Sequence, residues 1–426
     1  MDRNLRTNVL PAWFPRTLDS QHGGFRTNYR NDWAPYGDNE KGLVYESRMT
    51  WLTATVVLEY PDLAGQYRTY ARHGATFLRQ RLWDPQQGGF YFMVDQDGEP
   101  MPPYGDQKHA YGQAFAIYGL AKAARATGDP EILKAAIDAF KWLDAKAHDA
   151  QYGGYLEALS REGRPLLAAG PTTAPADQID ALEIPYGRKT MNVHIHLLEA
   201  LTELYHVYPD ALLRQRLEEM HRLVRDRIVV DPGYLNLQFT RDWKPLPGPQ
   251  SYGHDVETAF LLLESAEALN QAQDPRNLAV ARRLVDHALP FGFDDSIGGM
   301  FNEGEAGQPA SDRTKWWWVQ AEALNALLLM HEHFGGETDR YWNAFVKQWQ
   351  FINDHVIDHQ NGEWFMKLSP EGKSLINAKA SPWKAGYHNG RALFEVRNRL
   401  LRLGGVAPST APAAHDGARG GLQTPP

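Results

Sequence analysis

The 426-residue sequence contains no cysteine. That absence excludes disulfides, thiolate nucleophiles and cysteine-ligated metals together. No run of 18 apolar residues is available to span a bilayer, and Met1-Asp-Arg-Asn-Leu-Arg lacks the apolar core of a signal peptide. Excess positive charge is also missing. The 44 Lys and Arg face 52 Asp and Glu, giving a formal net charge of −8. The basic residues are scattered, so no nucleic acid and no membrane surface is expected as a partner. A cytoplasmic protein is the simplest expectation.

What is present is core material and aromatic rings. The chain is 43% hydrophobic and 23% charged, with 13 Trp, 19 Tyr and 17 Phe. That supports a large soluble core. Aromatics interleaved with Asn, Gln, Arg and His also suit a carbohydrate cleft, where an indole stacks on the apolar face of a sugar.

One short signal recurs. It reads Gly23-Gly24-Phe25, Gly88-Gly89-Phe90, Gly153-Gly154-Tyr155, Gly233-Tyr234-Leu235, Gly298-Gly299-Met300 and, degraded, Gly362-Glu363-Trp364. The starts lie 65, 65, 80, 65 and 64 residues apart. Asp19, Asp84, Asp149, Asp294 and Asp358 each precede their copy by four residues, while the fourth has Asp231 two residues ahead. A fixed period marks a repeated supersecondary unit.

Between signals the pattern predicts two helices. Tyr111 to Ala126 is apolar almost all round, as an inner helix should be, and Glu131 to Ala147 alternates faces as an outer helix should. Gly128-Asp129-Pro130 supplies the stop and start between them. Leu197–Tyr208 with Ala211–Ile228, Glu257–Leu269 with Arg276–Leu289, and Gln320–Phe334 with Tyr341–Val356 repeat the scheme. A count of six favours a closed ring over an open superhelical solenoid, so the expected fold is an all-α (α/α)6 barrel over residues 1–403, with short extended segments between repeats. Residues 404–426, rich in Pro, Gly and Ala, are expected to be a flexible tail.

Each inner helix starts with unusual residues. These are Glu46-Ser47-Arg48, Lys108-His109-Ala110-Tyr111, Met191-Asn192-Val193-His194-Ile195-His196, Tyr252-Gly253-His254-Asp255-Val256-Glu257, Trp316-Trp317-Trp318 and Trp383-Lys384-Ala385-Gly386-Tyr387-His388. In a closed barrel the six N-termini meet at one mouth. Arg48, Tyr111, His196, His254, Trp317 and His388 then converge, with free backbone N–H groups beside them. His194 and His196 point roughly 200° apart on a helix, so only one can face the cavity. His196 stands three residues before Glu199 and His254 three before Glu257. That spacing predicts a carboxylate orienting each imidazole and holding its pKa up. Arg48, Arg391, Glu257 and Glu322 are candidates for buried ion pairs between inner helices. His196, His254 and His388 are read as recurring at corresponding positions of the repeat.

At these motifs the chain resembles the N-acylglucosamine 2-epimerase superfamily, most closely its cellobiose 2-epimerase branch. The matching strings are Met191–Glu199, Tyr252–Glu257, Trp317–Glu322 and Tyr387–Arg391, with looser matches at Ser47-Arg48 and Tyr111–Phe115. The resemblance runs from residue 1 to about residue 403. It implies an (α/α)6 barrel, a small-molecule sugar substrate, a monomer or homodimer, and chemistry without a metal or nucleotide cofactor. It implies His254 and His388 as the acid/base pair, with His196 assisting. Arg48, Tyr111, Asn192, Glu257, Trp317, Trp318 and Trp383 would bind sugar or support the histidines. The branch commonly has Asn-Thr-His-Leu-His and Glu-Trp-Trp-Pro where this chain has Asn192-Val-His-Ile-His and Trp316-Trp317-Trp318-Val319. These departures bear on a second sugar ring, so a monosaccharide such as mannose is the alternative substrate.

Histidines fit the implied reaction. Inverting the carbon beside an aldehyde requires ring opening, removal of the C2 proton to a cis-enediolate, and return of a proton to the other face. A base near neutral pKa suits this, and Arg48 or backbone N–H groups suit the enediolate oxygens. Return of the proton to C1 would give the ketose. The rivals are an (α/α)6 glycoside hydrolase, which needs two opposed carboxylates, a metalloenzyme using His196, His254 and His388, and a non-catalytic partner-binding protein.

Overall fold

A computed structural model of the chain describes residues 1–102, 104–167 and 179–405. Twelve helices form two concentric rings. The inner ring is α2 (Leu43–Glu59), α4 (Ala110–Thr127), α6 (Met191–Tyr205), α8 (Tyr252–Ala268), α10 (Trp317–Phe334) and α12 (Tyr387–Leu403). Each packs on the next, and α12 packs back on α2, so the barrel is closed. The outer ring is α1 (Asp2–Asn4, running through a π-type stretch Leu5–Val9 into Leu10–Trp13), α3 (Ala64–Phe77), α5 (Pro130–Ala147), α7 (Ala211–Leu223), α9 (Pro275–Gly292) and α11 (Arg340–Phe351). Three of these, α3, α7 and α11, end in a wider π-type turn.

Three of the expected inner helices begin three to six residues earlier than the apolar periodicity suggested, because their first turns carry the polar mouth residues, and α4 begins one residue earlier. Gly128 takes the left-handed conformation that ends α4, and the Asp129 side chain caps α5 ahead of Pro130. Five helical hairpins are contiguous. The sixth joins the two ends of the chain, with α1 packing on α12. Tyr29 pairs with Ala380, as two-residue strands pair at the other five junctions (Lys41–Gly42 with Met93–Val94, for example). The last helix ends at Leu403. From residue 406 the expected tail lies outside the described residues. Among those described, no helix is long and apolar enough to cross a membrane.

Each Gly-Gly-aromatic signal is a tight turn after an outer helix, bridged for instance between Leu18 and Phe25 and between Trp83 and Phe90. Two buried devices hold it. The first is the Asp of the signal, which accepts backbone N–H groups of the turn and pairs with a lysine just before the next inner helix. These pairs are Asp19–Lys41, Asp84–Lys108, Asp149–Lys189, Asp294–Lys315 and Asp358–Lys379. The fourth copy lacks both partners and has Gln250 in the lysine's place.

The second device is one inner-helix side chain that reaches the turn in each repeat. Glu46 accepts from Phe25 N–H, Gln113 from Phe90, His194 from Tyr155, Asp255 from Leu235 and Gln320 from Met300. A Cβ on Gly24, whose φ is +65°, would sit 2.7 Å from Glu46, so that close approach requires glycine. In the sixth copy Glu363 replaces the glycine at φ +63°. Its carboxylate occupies the turn itself, held by Lys384 and Asn389. The degraded signal therefore joins turn to helix through side chains, Glu363 to Asn389, where the other copies use a turn N–H.

Candidate active site

Counting from the turn-closing residue aligns the inner helices. One residue earlier stand Tyr45, Gly112, Val193, His254, Val319 and His388. Two residues later stand Arg48, Phe115, His196, Glu257, Glu322 and Arg391. The two sets lie about 4.5 Å apart along the helix axes. His254 and His388 thus share one position of the repeat. His196 does not; it belongs to the deeper layer with Arg48 and the acids. This corrects the reading of three equivalent histidines.

His194 is the turn-closing residue of its repeat. Its Nε2 accepts from Tyr155 N–H, 3.1 Å, and its Nδ1 donates to Thr190 O, 2.7 Å. Burial drives its pKa down to about 3. It is a neutral structural imidazole facing away from the bore.

The mouth of the barrel holds a cavity of about 140 Å³ lined by Arg48, Tyr111, Asn192, His196, His254, Glu257, Trp317, Trp318, Trp383 and His388. Every site residue named from the sequence is on that wall. Larger clefts exist, such as one of about 550 Å³ between α1 and the end of α11, but that one carries a single titratable imidazole, His359.

Three imidazoles present themselves alike. His196 Nδ1 donates to Glu199, 2.9 Å, and His388 Nδ1 to Glu322, 2.7 Å. His254 Nδ1 bonds Ser251 Oγ, 2.8 Å. In each case Nδ1 is tied, and Nε2 has no protein partner among the described residues. The rings are held by aromatic edges. Trp318 lies 4.7 Å from His254 and 5.7 Å from His388, while Tyr111 and Phe115 flank His196 at 5.3 and 4.8 Å.

Beneath them Arg391 joins three acids from three inner helices, Glu199, Glu257 and Glu322, and also donates to Tyr387 OH. Against burial, Arg391 with His196 and Tyr387 holds Glu199 down to about 2. Burial pushes Glu322 up, with Arg391 opposing. The i, i+3 contact forms between His196 and Glu199 and does not form between His254 and Glu257. Glu257 turns to the Arg391 charge and comes only within 3.9 Å of His388 Nδ1, while His254 bonds back to Ser251. No carboxylate bonds His254, so burial outweighs the more distant Glu257 charge and lowers its pKa to about 4. His388 is also held well below the usual imidazole range, by burial and then by Arg48.

Arg48 donates to Trp383 O, 2.9 Å, and Tyr111 OH, 3.3 Å, and lies over the Phe115 ring at 4.4 Å. Arg48 Nε, Trp317 Nε1 and Asn192 Oδ1 are buried without partners on the cavity wall. Buried polar atoms left open this way are where a polyhydroxyl ligand would bond. Trp383 is 42% exposed at the lip.

The geometry weighs on the rivals. Glu257, Glu322 and His388 come within 4.8 Å of one another, but Arg391 donates to both carboxylates and supplies the cation there. His196, His254 and His388 do not close to that distance as a trio among the described residues. The same guanidinium gathers the acids on one side, so they do not oppose one another across a bond as hydrolysis requires. Sequence reading missed Ser251 and Tyr387. A Ser one residue before an inner helix reads as an ordinary cap, and Tyr387 as core.

The profile of the family described as N-acylglucosamine 2-epimerase (GlcNAc 2-epimerase) matches residues 23–170 and 173–392. The chain belongs to this family. It is a carbohydrate 2-epimerase, and so an isomerase. A cellobiose 2-epimerase of Bacteroides fragilis is 33% identical over 401 residues, 93% of this chain and 97% of that one. The D-mannose isomerase of Marinomonas mediterranea is 26% identical over 92% of this chain and 95% of its own. The solved cellobiose 2-epimerase of Spirochaeta thermophila DSM 6192 superposes with a TM-score of 0.81 at 33% identity, covering 94% of this chain and 96% of that one.

Proposed function

We propose that the protein interconverts C2 epimers at the reducing end of an aldose, with His254 and His388 as the proton carriers. The observation that carries this is the pair of imidazoles at one repeat position on one cavity, each with Nδ1 tied and Nε2 free. Burial biases both toward the neutral form, and a charged form, where needed, is short-lived and strongly acidic. In the reacting state one of them is neutral and takes the C2 proton at Nε2, while the other has already gained a proton there and gives it to the opposite face of the cis-enediolate. Arg48 and Tyr111 on the same cavity wall would offer the enediolate oxygens a positive charge and a hydroxyl. His196 with Glu199 supplies a further proton carrier for ring opening. The chain's own residues suffice for these steps, so the reading calls on no metal or nucleotide. Return of the proton to C1 makes slow aldose–ketose isomerisation a side activity.

A cellobiose- or lactose-type disaccharide is the proposed substrate class, supported by the cellobiose 2-epimerase relatives. The cavity of about 140 Å³ is below the roughly 300–1,000 Å³ of pockets for drug-sized ligands. It takes one sugar ring, and a second ring would rest at the lip beside Trp383. The same size favours a second reading, a monosaccharide such as mannose.

Proton NMR in D2O with cellobiose, lactose, mannose, glucose and N-acetylglucosamine tests both. Exchange at C2 with appearance of the epimer is expected for at least one sugar, and loss of exchange in His254→Ala and His388→Ala while both remain folded. Retained exchange in both variants sinks the assignment.

A further inference from the structure

Ser251 stands at the N-cap of α8, where a serine normally accepts a backbone N–H from the helix's first turn. Its side chain makes no such bond. The corresponding Thr190 at the start of α6 does, accepting from Val193 N–H. Ser251 is 3% exposed, and its hydroxyl is spent instead on His254 Nδ1 at 2.8 Å. A buried cap residue has been diverted from the helix to one imidazole.

The diversion distinguishes the two proton carriers. His388 leans on a carboxylate, which favours its charged form. His254 leans on a hydroxyl, which is neutral and works in both directions. Donating to Nδ1, it fixes the tautomer with the proton on Nε2. Accepting from Nδ1–H, it leaves Nε2 as a base. It lends little to the imidazolium, so His254⁺, once formed, is a strong acid that gives its proton back. The titratable groups facing His254 are Glu257 on its own helix and His196 across the bore, with opposite effects on its charge. Trp318 packs on its ring, with His388 beyond.

We infer that Ser251 is a positioning residue for the proton transfer. It holds His254 with Nε2 toward the sugar and keeps it uncharged between turnovers by withholding a counter-charge. The inference rests on the proposed epimerase reading and deepens it.

The test uses the full chain with whichever sugar shows C2 exchange. Ser251→Ala is expected to lower kcat for exchange by about 10- to 100-fold, the loss of one orienting hydrogen bond in the reacting state. KM should stay within about twofold. Ser251→Thr, which keeps the hydroxyl, should recover activity to within a few-fold of the parent. Ser251→Asp should move the acidic limb of the kcat/KM profile upward by at least one pH unit, since a carboxylate now favours the imidazolium. Melting temperatures check that each variant is folded. An unchanged kcat and pH profile in folded Ser251→Ala overturns the inference. So does failure of Ser251→Thr to exceed Ser251→Ala. If His254→Ala retains exchange, the epimerase reading itself fails. If His254→Ala is dead while Ser251→Ala is unaffected, only the inference about Ser251 fails.

Discussion

Glu46 is fully buried and accepts the Phe25 N–H with both oxygens, at 2.9 and 3.1 Å. Burial is the largest influence on it and Lys41 the main opposition, and its pKa is pushed up from 4.5 to about 8. Two other repeats solve the same contact with an uncharged amide. Gln113 accepts from Phe90 N–H and donates to Phe90 O, and Gln320 does the same at Met300. Glu46→Gln should copy them. The sign follows from the raised carboxyl. Below pH 4.5 the group is protonated in folded and unfolded chains alike. Above it the unfolded chain ionises while the folded one resists until about pH 8. Stability therefore falls as pH rises through that window, by about 1.4 kcal/mol per pH unit. At pH 7.5 the parent carries a penalty of about 4 kcal/mol that the glutamine variant lacks; at pH 5 it is under about 1 kcal/mol. With an unfolding entropy of roughly 2 cal/mol/K per residue over about 400 ordered residues, that is about 5 °C in melting temperature at pH 7.5 and about 1 °C at pH 5. Differential scanning calorimetry of parent and variant from pH 5 to 8 reads it directly. A melting-temperature difference that does not grow with pH would refute the reasoning, whatever its sign.

Other outcomes follow from the same geometry. His194→Gln should keep C2 exchange within a few-fold of the parent, because glutamine closes the equivalent turn in two repeats; His196→Gln should lower it at least tenfold. Glu322→Gln removes the charged partner of His388 and should cost about 10- to 100-fold in kcat, the worth of a charge-assisted bond. Asp84→Asn leaves Lys108 buried without its counter-charge and should lower the melting temperature by roughly 4–6 °C, from a loss of about 3–5 kcal/mol. Burial holds His254 near 4, so kcat/KM should fall as pH drops below about 5 and stay flat toward neutrality; an acidic limb centred near pH 6.5 would contradict that.

The repeat and the ring were legible because they rest on spacing. Glycine turns 65 residues apart and helical periodicity survive in a single sequence. Six of the ten cavity residues, Arg48, Tyr111, His196, His254, Trp317 and His388, were legible from helix starts that closing the ring brings together, while Asn192, Glu257, Trp318 and Trp383 came through the family resemblance. What was not legible depends on which partner wins a contest. The i, i+3 rule offered Glu257 to His254, but Arg391, 134 residues away, took it. The five Asp–Lys pairs join residues 21 to 40 apart that carry no local pattern. Assigning three equivalent histidines failed by three residues, because the frame of reference is the turn-closing side chain, visible only once its backbone partner is known.

The join between α1 and α12 also sets an order of assembly. A chain made from its N-terminus presents α1, with Leu5, Val9, Leu10 and Trp13 bare, long before its packing partner exists. Glu199, Glu257 and Glu322 then wait without their shared cation, because Arg391 lies on α12, the last of the ring helices to emerge. His388 arrives on that same helix. The barrel therefore cannot hold a competent cavity until the final turn of the ring is in place, and a chain truncated before residue 387 should be inactive and exposed at one seam. The converse is a freedom: with α1 and α12 side by side, the ring can be cut at another outer-to-inner connection and rejoined between these two helices, and the circular permutant should recover the same site.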